Sequence, residues 1–156
     1  MGIEIERKFL VRGDGWRQPA EAQTRFSQGY LSRDPARTVR VRVAGERAFL
    51  TIKGATTGAT RAEFEYAVPL ADARQLLALC DGPVVEKIRH RCVAGGGLAW
   101  EIDEFLGANA GLVVAEIELA SEDQPFARPA WLGEEVTGDA RYVNANLAAH
   151  PFTGWP

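Results

Sequence analysis

Apolar and polar positions alternate with a period of two along most of the chain. This predicts strands over residues 3–11, 24–32, 38–44, 47–53, 61–68, 84–93, 97–105 and 112–119. Turn chemistry separates most of them: Gly45 within VAGER, the GATTGAT segment at 54–60, and the glycine triplet at 95–97. Helical periodicity is rarer. Pro69 can open a helix whose apolar stripe, Leu70, Ala73, Leu76, Leu77 and Cys80, ends at Gly82–Pro83. A second helix is expected after Asp139, with Tyr142, Val143, Asn146 and Leu147 toward the core, and a short turn near Pro125–Leu132. No linker, repeat or low-complexity stretch interrupts the pattern, so residues 1–156 read as one domain. Many strands with few helices predict an antiparallel sheet, with closure into a barrel as one way to bury it.

The polar face of these strands is charged rather than mixed. Side chains two apart share a face. Glu4, Glu6 and Lys8 therefore oppose Ile3, Ile5 and Phe9, and Arg40 and Arg42 oppose Val39, Val41 and Val43. Thr51 and Lys53, then Arg61, Glu63 and Glu65, continue the pattern. So do Lys87, Arg89 and Arg91, the pair Glu101 and Asp103, and the pair Glu116 and Glu118. One such strand is an ordinary solvated face. Repetition across the sheet, with Arg-x-Arg, Glu-x-Glu and Lys-x-Arg segregated by strand, sets like charges side by side and needs compensation. If the sheet closes with its charged faces inward, an eight-stranded barrel leaves room for one small ligand. Arginine and lysine suit phosphate oxygens, and carboxylate pairs suit a hard divalent cation such as Mg²⁺ or Mn²⁺. A phosphate chain carrying divalent metal answers both halves of the pattern.

Composition narrows the field. The chain is 46% hydrophobic and 25% charged, with a formal net charge of −3, which argues against broad binding to nucleic acid polymers. Only three of its basic residues are lysines, Lys8, Lys53 and Lys87, and each lies in an alternating segment. No apolar run is long enough for a membrane helix, and the N-terminus lacks a signal-like apolar core. A cytoplasmic protein with reduced Cys80 and Cys92 is expected. No His/Cys cluster suggests zinc, and neither His90 nor His150 has a catalytic context.

The N-terminal Glu4-x-Glu6-x-Lys8 resembles the signature strand of the CYTH family, the triphosphate tunnel metalloenzymes. The resemblance continues through Gln28-Gly29-Tyr30-Leu31, Arg40-x-Arg42, Thr51-Ile52-Lys53-Gly54, Glu63-x-Glu65 and Lys87-x-Arg89. It extends to Asp103-Glu104-Phe105, Glu116-x-Glu118, the segment Trp131–Thr137 and Tyr142-x-Asn144. It implies a closed eight-stranded antiparallel barrel with a few flanking helices, in which a triphosphate and a divalent metal bind. By position, Glu4, Glu6 and Glu118 would be the principal metal ligands. Glu63, Glu65, Asp103 and Glu116 would support a second metal or orient water. Lys8, Arg40, Arg42, Lys53, Lys87 and Arg89 would hold the phosphates, and Tyr30 would pair with Lys8. Arg61 and Arg91 stand between that role and salt bridges in the wall.

The function expected is metal-dependent hydrolysis of a triphosphate-containing small molecule, foremost inorganic tripolyphosphate. A class IV-type adenylate cyclase and a thiamine triphosphatase use the same chemistry and remain alternatives. A non-catalytic polyphosphate binder would gain nothing from clustered carboxylates, and a carrier of apolar ligands would not have this charged face. A homodimer is left open by the sequence.

Overall fold

A computed structural model describes residues 2–156. Nine strands form one antiparallel sheet: β1 (Ile3–Val11), β2 (Ala22–Ser32), β3 (Arg37–Ala44), β4 (Arg47–Thr57), β5 (Thr60–Val68), β6 (Val85–Gly95), β7 (Leu98–Phe105), β8 (Val113–Glu118) and β9 (Leu132–Glu135). They run in the order β5-β4-β3-β2-β6-β7-β8-β1-β9, and an additional β5–β1 pairing closes β1 to β8 into an eight-stranded barrel. The closing seam is short. β1 pairs with β5 only through Ile3, Glu4 and Ile5, and past it the same edge of β1 meets β9 at Phe9 and Val11. Along its other edge β1 runs beside β8 from Glu6 to Leu10.

The period-two reading sorts side chains as expected, with charge inside and the main apolar clusters outside. Phe9, Trp16, Trp100, Ile102, Ala115, Ile117 and Trp131 pack on the outer wall beneath the loops flanking β1, β7 and β8. Val41 and Ala48 are covered by α1 (Leu70–Leu79) through Ala73, Leu76, Leu77 and Cys80. A third cluster sits at one end, where Tyr30, Val85, Phe105 and Val114 meet Tyr142, Ala145 and Leu147 around α2 (Asn144–Ala149).

Three expectations change. The GATTGAT segment is not a loop, because β4 runs on to Thr57 and β5 begins at Thr60; a register shift between Lys53 and Thr56 absorbs Gly54, and its threonines suit a strand. Only Gly58, at φ 61°, and Ala59 make the turn. Past the turn at Pro129, β9 occupies positions 132–135; four residues with adjacent glutamates are too short to show alternation. The helix after Asp139 is broken at Val143, which is extended, leaving a 3-10 turn at Ala140–Tyr142 and then α2. Asn146 consequently borders the barrel cavity instead of joining the core. Both cysteines are free thiols.

Gly29 in β2 lies against α1, where an added Cβ would sit 2.8 Å from Cys80 Sγ and 3.0 Å from Cys80 Cβ. Gly29→Ala should therefore cost about 1–3 kcal/mol by overpacking. Urea unfolding should show this loss, and Cys80→Ala in the same chain should recover part of it by removing the nearer atom.

Candidate active site

The barrel holds a cavity of about 640 Å³ lined by inward residues from all eight strands of the ring and by residues between Val136 and Asn146. All three lysines of the chain reach it. Among the residues expected to carry the chemistry, Glu4, Glu6, Lys8, Tyr30, Arg40, Arg42, Lys53, Glu63, Glu65, Lys87, Arg89, Glu116 and Glu118 all border it. Residues spread from position 4 to position 118 share this space because alternate positions on a closed sheet all point to its axis.

The charges are paired unevenly. Lys53 Nζ donates to Glu4 Oε1 at 3.0 Å and lies 3.3 Å from Glu63. Arg40 Nη2 donates to Thr51 Oγ1 and Glu65 Oε2, at 3.1 and 3.4 Å, while its buried Nε has no partner among the described residues. Lys8 lies 3.8 Å from Glu116 and donates to the Tyr142 carbonyl at 3.1 Å. Arg89 grips Asp103 with two bonds of 2.7 and 2.9 Å and reaches Glu101 at 3.2 Å. Lys87 Nζ donates to the same Asp103 at 2.6 Å.

Asp103 corrects one expectation. It is fully buried, does not border the cavity, and both its oxygens are taken by Arg89 and Lys87. A carboxylate so engaged holds cations in place rather than offering a face to metal. Tyr30 corrects another: its hydroxyl accepts from Gln28 Nε2 at 3.2 Å, and Lys8 bonds Tyr142 and approaches Glu116 instead. Arg61 borders the cavity but donates to the Gly54 carbonyl and to Thr38, whereas Arg91 pairs with Glu21 on the exterior. His90 faces outward between Trp16 and Glu104.

Burial and neighbours push the titrations apart. Burial raises the Glu6 carboxyl well above the ordinary range, and the nearby Glu116 and Glu4 raise it further. Burial, then Glu4 and Glu63, also raises Glu118. Burial favours protonating Glu116 too, but Lys8 and Arg89 outweigh it and hold that carboxyl at about 2. Asp103 is held low against its own burial by Arg89 and Lys87. Lys87 falls to about 7, first through burial and then through Arg89 and Arg42; Arg42 falls to about 9 through burial, Arg40 and Arg89. One region thus has carboxylates in excess of their cations, and another has cations in excess of their carboxylates.

Two polar residues without an assigned role belong to this wall. Gln28, fully buried, and Asn144 link Arg42 to Lys87 through amide groups. Phe26, Gln28 and Tyr30 alternate on the inner face of β2, so period two would have placed Gln28 inside.

Asp103→Asn removes the carboxylate shared by two buried cations, and should cost about 3–5 kcal/mol at pH 7. Asp103 and Glu116 titrate lower folded than unfolded, so their stabilisation is present above about pH 4.5 and is lost as pH falls toward 2. Urea unfolding in EDTA should show this acid decline in the parent protein, and a shallower one in Asp103→Asn.

The comparisons agree with this geometry. The family model of the CYTH domain matches residues 2–150. The chain is 48% identical over 153 residues to an inorganic triphosphatase of Acetivibrio thermocellus, covering 97% of each sequence. It is 38% identical over 151 residues to an inorganic triphosphatase of Nitrosomonas europaea, covering 93% of this chain and 96% of the relative. A crystal structure of an inorganic triphosphatase superposes with a TM-score of 0.64 at 37% identity, covering 93% of each chain. A Pyrococcus furiosus structure at 16% identity shares the fold, with a TM-score of 0.61 over 77% of this chain and 80% of the other. A closed antiparallel barrel with this charged interior, matched over nearly its whole length, belongs to the CYTH domain family.

Proposed function

We propose that the chain hydrolyses triphosphates with the help of a divalent metal, and that inorganic tripolyphosphate is its substrate. The observation that carries this reading is the separation of charge within one cavity: surplus cations around Arg42 and Lys87, surplus carboxylates around Glu6 and Glu118. Two relatives named inorganic triphosphatases, aligned over nearly the full chain, support the choice of substrate class.

Arg40, Arg42, Lys8, Lys53, Lys87 and Arg89 would bind the phosphate chain. A phosphate oxygen would give the buried Arg40 Nε the acceptor it lacks, and Lys87 would regain full charge beside an anion. Phosphoryl transfer depends on positioning and charge neutralisation more than on covalent help. These groups would align the chain and take up the charge that develops on its oxygens and leaving phosphate.

The carboxylates fit a hard divalent cation such as Mg²⁺ or Mn²⁺. Glu6 and Glu118 are cross-strand partners, and neither makes an ion pair among the described residues. Their raised titration is relieved by a nearby cation. In the present rotamers no three acidic or imidazole groups among the described residues converge on one point, since Lys53 holds Glu4. Glu4, Glu6 and Glu118 would hold the metal by turning toward it. When bound, it would neutralise phosphate charge and polarise the group being transferred. Glu63, Glu65 and Glu116 would orient the attacking water or accept its proton, and Tyr30 would hold its end of the phosphate site through Gln28.

Phosphate release from tripolyphosphate, ATP and thiamine triphosphate tests this directly. Turnover of tripolyphosphate should require Mg²⁺ or Mn²⁺ and vanish in EDTA; full activity in chelator, or cyclic AMP formed from ATP as the main reaction, would overturn the assignment. Glu6→Gln should lower turnover by about 10²-fold or more while the fold persists, the scale for one preorganised electrostatic group. Arg42→Ala should weaken tripolyphosphate binding about 10-fold or more and pyrophosphate less, as one lost charge-assisted bond of ~1.5–3 kcal/mol implies. Calorimetry on both ligands would measure the difference.

A further inference from the structure

The cations of the cavity are not all restrained in the same way. Lys53 meets Glu4 and Glu63, Arg40 meets Glu65, Lys8 approaches Glu116, and Arg89 holds Asp103 and Glu101. Arg42 has no carboxylate partner among the described residues. Its Nε donates to Gln28 Oε1 at 2.8 Å, and its guanidinium lies 4.4 Å from the centre of the Phe26 ring. Lys87 shares its one carboxylate with Arg89, and its remaining side-chain bond goes to Asn144 Oδ1 at 2.8 Å. Gln28 Nε2 donates to that same Asn144 oxygen at 3.0 Å. One chain of amides therefore runs from Arg42 on β3, through Gln28 on β2 and Asn144 at the start of α2, to Lys87 on β6.

An amide carbonyl fixes a donor's direction nearly as well as a carboxylate does, but it adds no formal charge. Carboxylates in these positions would give stronger bonds and would also cancel the positive potential that an anion needs. Resting on the proposed binding of a phosphate chain, we infer that Gln28 and Asn144 are positioning residues. They hold Arg42 and Lys87 in register across three strands and a helix while leaving both charges available to the anion. The low titrations of Arg42 and Lys87 follow first from burial and then from the neighbouring cations. The same bonds fasten α2 to the barrel wall, so the seating of that helix and the alignment of two cations are coupled.

Asn144→Asp separates this role from simple fastening. Aspartate keeps the oxygen that accepts from Lys87 and Gln28, exchanges an NH2 group that bonds nothing among the described residues for a second oxygen, and adds a negative charge. Binding of tripolyphosphate would be measured by calorimetry in EDTA, beside the thermal midpoint of the ligand-free protein. The expected result is affinity about 10-fold weaker or more, equivalent to ~1.4 kcal/mol, with the midpoint unchanged or raised. Gln28→Glu keeps the acceptor for Arg42 but loses the Nε2 bonds to Tyr30 and Asn144, so its affinity should fall by a similar factor and its midpoint should fall as well. Affinity within twofold of the parent protein in both variants would overturn the inference and leave the proposed function standing. Failure of both variants to fold would also overturn it, because a site with surplus positive charge accepts a carboxylate. Absence of tripolyphosphate binding in the parent protein would instead refute the proposed function.

Discussion

Asp103 lies fully buried between the Arg89 guanidinium and the Lys87 ammonium, and the charge arrangement of the barrel depends on this contact. Two cations facing one desolvated space repel, and without a carboxylate between them they would turn outward or lose a proton. Arg89 keeps Asp103 ionised through a two-pronged bond, leaving Lys87 as the member of the trio whose charge is least secured. A buried ion pair of this kind is weak support for stability when weighed against an apolar replacement. Its value is geometric: it holds two cations at fixed points on the cavity wall when no ligand is there to hold them.

The remaining architecture accommodates that interior. Charge inside the barrel removes the barrel lumen as the main hydrophobic core, so the apolar faces of the strands must be covered from outside. The tryptophan-rich cluster around Phe9, Trp100 and Trp131 does this on one flank, and α1 does it on another. Only where α2 closes one end does the inner face become apolar, around Tyr30, Val85, Phe105 and Val114. The outer side of the closing seam is left bare, with Ile3, Ile52, Phe64 and Tyr66 between 37% and 67% exposed.

The pairings also show how one barrel interior carries crowded carboxylates and crowded cations at once. Lys53 on Glu4 and Lys8 near Glu116 partly neutralise the acidic side, and the amide relay through Gln28 and Asn144 adds no negative charge to the basic side, where Asp103 is shared by Lys87 and Arg89.

The eight strands of the barrel, their facing and the identity of most cavity residues were legible in the sequence, because alternation with period two is a local property and closure does not alter it. The helical stripe of α1 was legible for the same reason. What the sequence left undetermined is pairing between distant positions. Asp103 and Glu101 alternate identically, yet β7 lies beside β6 in a register that sets Asp103 opposite Arg89 and buries it, while Glu101 stays at the cavity. Likewise Tyr30 could be placed inside but not matched to Gln28 over Lys8, and Asn144 could not be matched to Lys87 across 57 residues. The four-residue β9 and the break at Val143 were hidden because β9, with adjacent glutamates, shows no alternation and a break at one residue leaves no periodic signal. The sequence by itself determined which faces are charged; tertiary structure decided which charges neutralise one another, because that depends on strand register and on desolvation, which only a closed barrel supplies.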